Sequence, residues 1–570
     1  MKSEFRTRVH IVLLFVILFA SVLVARLYFI QIVNGEELSL KSDRQYTKPG
    51  HDLFNRGSIF FKDKNETLVS AATLKSGFTV AINPNVIEDA KVLYIALSEI
   101  IDLDEVEFLA RAAKEDDPYE EIARRVDAAR AEKITNLEIP GVKVYRDRWR
   151  FYPGGELAAQ TVGFVGFDDN VLSGRYGLER YYEDTLGRED KSLYTNFFAE
   201  VFSGLGSAIR DGEIGHEGDV VTSIEPSVQV FLERSLVDIS DTWDSKLTGG
   251  VIIDPVSGDI VALGVYPTFD LNSFQKEKSS AVFANPLVEN VYEMGSIIKP
   301  LTMAIGIDSG AVIADTAYYD SGSIDIDGAT ISNFDGKGRK RVPMQEVLNQ
   351  SLNTGAAFIM KEVGKEDFRD YMLSLGLEEE TGIDLPNESA GLVANLYSPR
   401  TLEYATASFG QGIAMTPIAT VRALGALAND GMTITPHIAQ EIAYTSGLSK
   451  KVTFGPPEQV FKSETAEEVT RMLVQVVDEA LLDGAVKRDR YSVAAKTGTA
   501  QIAKSGERGY YDDRFLHSFF GYVPAYDPQF LVFLFTVEPK EVRYASQTLT
   551  HPFSDIVTFL INYFEIQPDR

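Results

Sequence analysis

From Ile11 to Ala25 the chain reads IVLLFVILFASVLVA, an unbroken apolar run, and no second run in the sequence is long enough to cross a bilayer. Continued through Arg26 to Val33, a helix here would be roughly 35 Å long, enough to span with tilt. Arg26 would sit near the outer interface and snorkel, and Tyr28 and Phe29 suit an interfacial aromatic belt. Lys2, Arg6 and Arg8 precede the run, and Glu36 and Glu37 follow it. The positive-inside rule then leaves the N-terminus in the cytoplasm and everything after the span outside. A cleaved signal peptide is the alternative, but the run lacks a clean small-x-small cleavage site and stays apolar beyond Arg26. The expectation is a single-pass protein of the cytoplasmic (inner) membrane. It has a cytoplasmic tail (1–9), a transmembrane anchor (10–33) and an extracytoplasmic remainder.

That remainder belongs to a 570-residue chain, long enough for two or three domains, with a normal hydrophobic share of 45%. A net charge of -28 repels phosphate backbones and argues against nucleic acid as a partner. There is no cysteine, which removes disulfides, thiolate metal sites and a Cys nucleophile. The six histidines are scattered, with no HExxH pair, and no G-x-S-x-G elbow occurs to seed a His-based triad. No metal and no cofactor is expected.

Residues from about 40 to 215 mix strand-like and helix-like pieces. Phe78 to Ile82 reads as a strand, Val86 to Ile101 and Glu105 to Lys114 as helices, and Glu115-Asp116-Asp117-Pro118 as a solvated turn. The block Asp211 to Gly218 is rich in Gly and charge and reads as a linker. Beyond it, Asp219 to Ile224 looks like a strand, and Pro226 opens a helix running through Leu236. Gly249–Asp254 and Ile260–Val265 look like strands bracketing a hairpin turn. Near the C-terminus, Val493–Ala495, Phe519–Val523 and Phe530–Thr536 read as strands. Asp555–Tyr563 reads as a closing helix with Ser554 as its N-cap. Strands at both ends with helices between predict an α+β domain, one antiparallel sheet covered by helices.

Three short motifs carry the chemistry. In Ser296-Ile297-Ile298-Lys299, a helix opening at Ser296 would put Ser and Lys one turn apart on one face, with the serine at the positive end of the helix dipole. A serine hydroxyl is a poor nucleophile until a base takes its proton. A lysine does so only when neutral, which needs burial or a neighbouring cation. In Ser351-Leu352-Asn353, the hydroxyl can relay a proton and the amide can hold a carbonyl. In Lys496-Thr497-Gly498-Thr499, after an apolar strand, Gly498 would let a substrate backbone approach closely. Lys496 and the threonine hydroxyls would take a carboxylate, and the Thr499 N–H could pair with that of Ser296 as an oxyanion hole. Lys496 is also the cation that would keep Lys299 neutral. Each motif alone is a common solvated turn or strand end.

Together and in this order they resemble the serine, S-x-N and K-T-G set of serine β-lactamases and penicillin-binding proteins. The chain as a whole resembles a monofunctional class B penicillin-binding protein. Arg56-Gly57-Ser58-Ile59 is similar to that family's R-G-x-I block. Arg148 to Gly155 (RWRFYPGG), Gly163-Phe164-Val165-Gly166 and Gly177-Leu178-Glu179 are similar to its second non-catalytic block. Tyr266 to Asn272, Asn285, Tyr292, Glu293, Thr381 to Pro386, and Ala407 to Gly412 through Thr416-Pro417 extend the likeness over roughly residues 10 to 560. The family usually has Pro where Met294 stands and Thr-Phe where Ile297-Ile298 stand, a difference expected to alter the acyl pocket. The block after Ile59, FFKDKNETLVS, also departs from D-R-N-G-x-x-L-A.

The resemblance implies a pedestal, or dimerisation-type, domain over 34–215 and a transpeptidase domain of penicillin-binding fold over 216–570. It implies a peptidoglycan D,D-transpeptidase in which Ser296 is acylated by a D-Ala-D-Ala stem peptide, Lys299 is the base and Ser351 the relay. Asn353, Lys496, Thr497, Gly498 and Thr499 would bind substrate, and a neighbouring stem's amine would take the acyl group. β-Lactams would acylate the same serine. The partners implied are peptidoglycan stem peptides and a SEDS-family glycan polymerase in the membrane. Ser408-Phe409-Gly410-Gln411-Gly412-Ile413 looks closer to division-type members. The competing readings are a D,D-carboxypeptidase or β-lactamase-type hydrolase, and a non-catalytic penicillin sensor or division scaffold.

Overall fold

A computed structural model describes residues 54–114, 117–168, 171–188, 216–504, 506–507 and 509–570. The anchor expected at 10–33 and most of the 211–218 linker lie outside these. Among the described residues no helix is long and apolar enough to cross a membrane. The described residues form two compact units, one over Ser76–Arg148 and the other over Asn55–Lys75 with Trp149–Arg570.

In the smaller unit, the second half of strand Leu68–Ile82 pairs antiparallel with Glu120–Val126, with Phe78 opposite Val126 and Ile82 opposite Glu120. Helices Ala90–Ser98, Glu105–Ala112 and Ala128–Asn136 pack on it around Val80, Leu93, Leu97, Phe108 and Ile134. Each helix starts at an aspartate that accepts backbone N–H groups. Asp89 accepts from Lys91 and Val92, Asp104 from Glu107, and Asp127 from Arg130. The Asp89 cap explains why the first helix begins at Ala90 and not at Val86, where the apolar spacing starts. Pro84–Val86 is a separate 3₁₀ turn.

The larger unit is built on a five-stranded antiparallel sheet. Its strands are β1 (Leu247–Ile253), β2 (Ile260–Tyr266), β3 (Ala494–Ala503), β4 (Tyr510–Val523) and β5 (Phe530–Val537). Their spatial order is β3-β4-β5-β1-β2, so the last strand of the chain closes on the first and β3 is left as an edge. Helices α1 (Pro226–Trp243) and α4 (Thr550–Phe564) cover one face, packing Leu232, Leu236, Ile556 and Leu560 against Ile252, Phe519 and Leu534. Val251, Phe533 and Phe535 on the other face join the core that holds α2 (Lys299–Asp308). With both faces covered, β5 (FLVFLFTV) is buried at every position, and apolar side chains point both ways. The α+β expectation is met. One boundary is corrected: α4 opens at Thr550, so Ser554 lies inside the helix and is not its cap. Pro552 does not interrupt it, because a proline in the first turn removes an N–H that has no intrahelical partner.

Three blocks far apart in sequence meet in this unit as a buried ionic cluster. Arg56 Nε lies 2.6 Å from Glu179 Oε2, and its two terminal nitrogens reach Glu183 at 2.9 and 2.7 Å. Arg150 Nε reaches the second Glu179 oxygen at 2.5 Å, where the Tyr152 hydroxyl also donates at 3.2 Å. Arg56, Arg150 and Glu179 are buried. Charges so placed persist only when paired, which accounts for the shared presence of the R-G-x-I, RWRFYPGG and G-L-E blocks in one chain.

Candidate active site

Ser296 lies in a 3₁₀ turn, Gly295–Ile298, and the α-helix proper starts at Lys299. The S-x-x-K spacing predicts a helix opening at the serine; the tighter turn carries it instead. Gly295 has φ +65°, and a Cβ there would come within 2.9 Å of the Thr499 carbonyl oxygen, so only glycine seats the turn this close to β3. Gly498 is needed for the same approach from the strand side. A Cβ on it would lie 2.4 Å from Ser518 Oγ and 2.7 Å from the Met294 carbonyl oxygen. Ser518 Oγ donates to that same Met294 oxygen at 2.8 Å, tying the turn to β4.

Met294, Ile297 and Ile298 are fully buried. Neither isoleucine lines the cavity beside Ser296. Their side chains fill the core beneath the turn, so any effect they have on the acyl pocket acts from below.

Lys299 is buried, and its Nζ donates to the Ser351 carbonyl at 2.5 Å and to Ser351 Oγ at 3.1 Å. Lys496 Nζ donates to the same Oγ at 3.2 Å and to the Thr497 carbonyl at 3.1 Å. One serine hydroxyl thus bridges two lysines. Burial, and the Lys496 charge after it, push Lys299 well below the ordinary lysine range. Burial brings Lys496 down to about 8. Of the two amines Lys299 is the one whose charge is opposed both by burial and by a neighbouring cation, which suits it to accept a proton.

Ser351 reaches this position through a left-handed backbone, φ 53°, between helix Met344–Asn349 and helix α3 (Asn353–Val363). A serine in that region is uncommon and strained. Behind it stands a polar network with no sequence signature. Thr354 Oγ1 donates to Asp320 at 2.8 Å, the Thr354 N–H donates to Asn333 Oδ1 at 3.2 Å, and Asn333 Nδ2 donates to Asp320 at 2.9 Å. All three are buried. The network locks the start of α3, and with it Asn353, whose Nδ2 donates to the Ser332 carbonyl at 2.9 Å. The amide's second N–H and its oxygen remain for a ligand.

Ser296, Ser351, Asn353, Lys496, Thr497 and Thr499 all line one cavity of about 750 Å³. Lys299 lies beneath it, and Gly498 forms the strand backbone between Thr497 and Thr499. β3 is an edge strand, so it presents backbone groups free to pair with an extended peptide. Thr499 Oγ1 accepts from the Ala545 N–H at 3.0 Å and keeps its own proton to donate. The fold thus assembles all eight residues singled out in the sequence.

The penicillin-binding protein transpeptidase domain matches residues 248–558, and the penicillin-binding protein dimerisation domain matches residues 54–195. Stage V sporulation protein D of Bacillus subtilis (strain 168) is 30% identical, over 96% of this chain and 84% of its own length. The probable peptidoglycan D,D-transpeptidase PenA of Neisseria meningitidis serogroup B is 26% identical over 99% of this chain and 94% of its own. Among solved structures, penicillin-binding protein 2X of Streptococcus thermophilus shares the fold with a TM-score of 0.71 at 19% identity, covering 90% of this chain and 81% of that one. Penicillin-binding protein 3 of Mycobacterium tuberculosis, solved with aztreonam, does so at 0.69 and 22%, covering 91% and 98%. The chain belongs to the penicillin-binding protein transpeptidases.

Proposed function

We propose that this peptidoglycan D,D-transpeptidase works through Ser296 as the acylated nucleophile, with Lys299 as general base and Ser351 as proton relay. The observation that carries the reading is the bridging position of Ser351 Oγ, 3.1 Å from Lys299 Nζ and 3.2 Å from Lys496 Nζ. Lys299, kept neutral, takes the Ser296 proton as Oγ attacks the carbonyl between the last two D-Ala residues of a stem peptide. The proton passes by Ser351 to the departing D-Ala amine. Lys496 and the Thr497 and Thr499 hydroxyls hold the terminal carboxylate, Asn353 holds a peptide carbonyl, and Gly498 lets the peptide backbone lie against β3. The N–H groups of Ser296 and Thr499 stabilise the oxyanion, a contribution of about 10²–10³ in rate per donor. A second stem's amine then takes the acyl group and restores the serine.

By the same reading, residues 10–33 anchor the chain in the cytoplasmic membrane, and the pedestal over 34–215 carries the transpeptidase domain over 216–570. A SEDS-family glycan polymerase is the membrane partner, and the duty is division-type, as the Ser408–Ile413 segment suggests.

Ser296→Ala is expected to abolish covalent labelling by a fluorescent penicillin, and surviving label would mean another nucleophile. Purified wild type given stem peptides should form dimeric muropeptides; free D-Ala with no dimer would make the chain a hydrolase. A fluorescent fusion gathering at mid-cell tests the division role, and uniform side-wall signal overturns it.

A further inference from the structure

The chain carries 83 acidic residues, yet no Asp or Glu is among the described residues lining the cavity beside Ser296. Its charged lining is Lys496 and Arg543. Lys496 is committed to Ser351 and Thr497, and on the reading above to the donor's terminal carboxylate. Arg543 is exposed and makes no ion pair with another described residue; its guanidinium carbon lies over the Tyr544 ring, 5.6 Å from the centroid.

Its backbone is fixed with respect to the catalytic strand. The Arg543 carbonyl accepts from His517 Nε2 at 3.0 Å, and His517 is the β4 residue directly opposite Thr499. Two residues on, the Ala545 N–H donates to Thr499 Oγ1. Burial drives the His517 imidazole down to about 4, so it is neutral, and with its Nε2 proton given to the carbonyl it anchors the loop without adding charge. A rigidly based, unpaired guanidinium at the rim of an acid-free cavity is a receptor for a carboxylate.

We propose that Arg543 selects the acyl acceptor: an amine whose own carbon bears a carboxylate, in preference to a plain aliphatic amine. The inference rests on the transpeptidase reading and deepens it. In the transfer step the neutral acceptor nitrogen attacks the acyl carbon, the new C–N bond forms and the C–O bond to Ser296 breaks. The proton lost by the amine ends on Ser296 Oγ. Arg543 takes no part in the bond changes. It binds the acceptor's carboxylate while the nitrogen attacks.

The test uses the full-length chain acylated by a D-Ala-terminated thioester donor, with D-alanine or D-alaninamide as acceptor. Product is measured against hydrolysed donor. Wild type should show a KM for D-alanine at least ~10-fold below that for D-alaninamide. Arg543→Gln should raise the D-alanine KM about 10-fold, leaving kcat, the D-alaninamide KM and penicillin acylation unchanged; Arg543→Lys should recover part of the loss. Equal KM values in wild type, or a Gln variant that keeps the D-alanine preference or loses both acceptors alike, overturn the proposal. Hydrolysis with neither acceptor incorporated overturns the transpeptidase reading and this inference with it, an outcome distinct from transfer without selectivity.

Discussion

Lys299 Nζ stands 2.5 Å from the carbonyl oxygen and 3.1 Å from the hydroxyl of Ser351, a residue 52 positions away that reaches it through a left-handed turn. The contact fixes the base and the relay against each other before substrate arrives. Lys299→Arg replaces an amine that can shed its proton with a guanidinium that stays charged and cannot accept one, so penicillin acylation should fall by about 10²–10⁴. Ser351→Ala keeps the carbonyl contact and loses the bridge to Lys496, and should fall as well. The second-order rate of fluorescent penicillin labelling reads both. A wild-type rate in Lys299→Arg would remove the lysine from the mechanism.

Lys496 gives the reaction an alkaline limit. Its proton comes off near pH 8, and only the protonated form holds a carboxylate. Acylation should therefore decline as pH rises through about 8. Lys496→Arg should move that decline upward, since guanidinium keeps its charge. A wild-type profile flat to pH 9.5 would show that the charge on Lys496 is not used.

Gly498→Ala should damage both stability and rate. Its methyl would press on Ser518 Oγ and the Met294 carbonyl oxygen, and meet Ile297 Cγ2 at 3.0 Å. Overpacking of this kind costs about 1–3 kcal/mol, and here the strain falls on the turn that carries Ser296. Thermal melting and acylation rate should fall together. A variant that melts like wild type yet labels slowly would place the effect in substrate approach alone.

The three motifs were legible because each packs its chemistry into four residues or fewer, and the sheet because β1, β2, β5 and the last part of β4, Phe519–Val523, read as apolar runs between turns. The true extent of β3 was hidden, since Lys496, Thr497 and Gly498 look like a strand end although they lie within the strand. The Asp320–Asn333–Thr354 network was invisible for a related reason. Its members sit in short hairpins and at a helix start, where Asp, Asn and Thr are ordinary surface residues, and only tertiary packing buries them. Arg543 follows a charged stretch that reads as solvent-exposed loop, and its relation to Thr499 exists only through His517 and Ala545.

Glu179 accepts from two buried arginines, so removing its charge should be far more costly than removing a surface carboxylate. Glu179→Ala leaves Arg150 buried without its carboxylate partner and Arg56 with Glu183 alone, a loss of about 3–5 kcal/mol. Chemical denaturation of the variant tests this. A shift below about 1 kcal/mol, the size of a surface pair, would mean water reaches the cluster.

His517 makes stability depend on pH in a way that can be separated from the carboxylates. Burial lowers its pKa to about 4, against an ordinary 6.5. Between those values the folded chain binds fewer protons at this site than the unfolded chain. The stabilising contribution is therefore complete above pH 6.5, shrinks as pH falls, and is gone below about 4. The difference amounts to on the order of 3 kcal/mol at most. His517→Gln removes the titration, so the stability gap between wild type and variant should narrow between pH 7 and 4.5. Parallel curves across that range would show that the imidazole takes up its proton as readily in the folded chain as in the unfolded one, that its contact with the Arg543 carbonyl survives the added charge, and that the loop beside Thr499 has no acid-sensitive anchor.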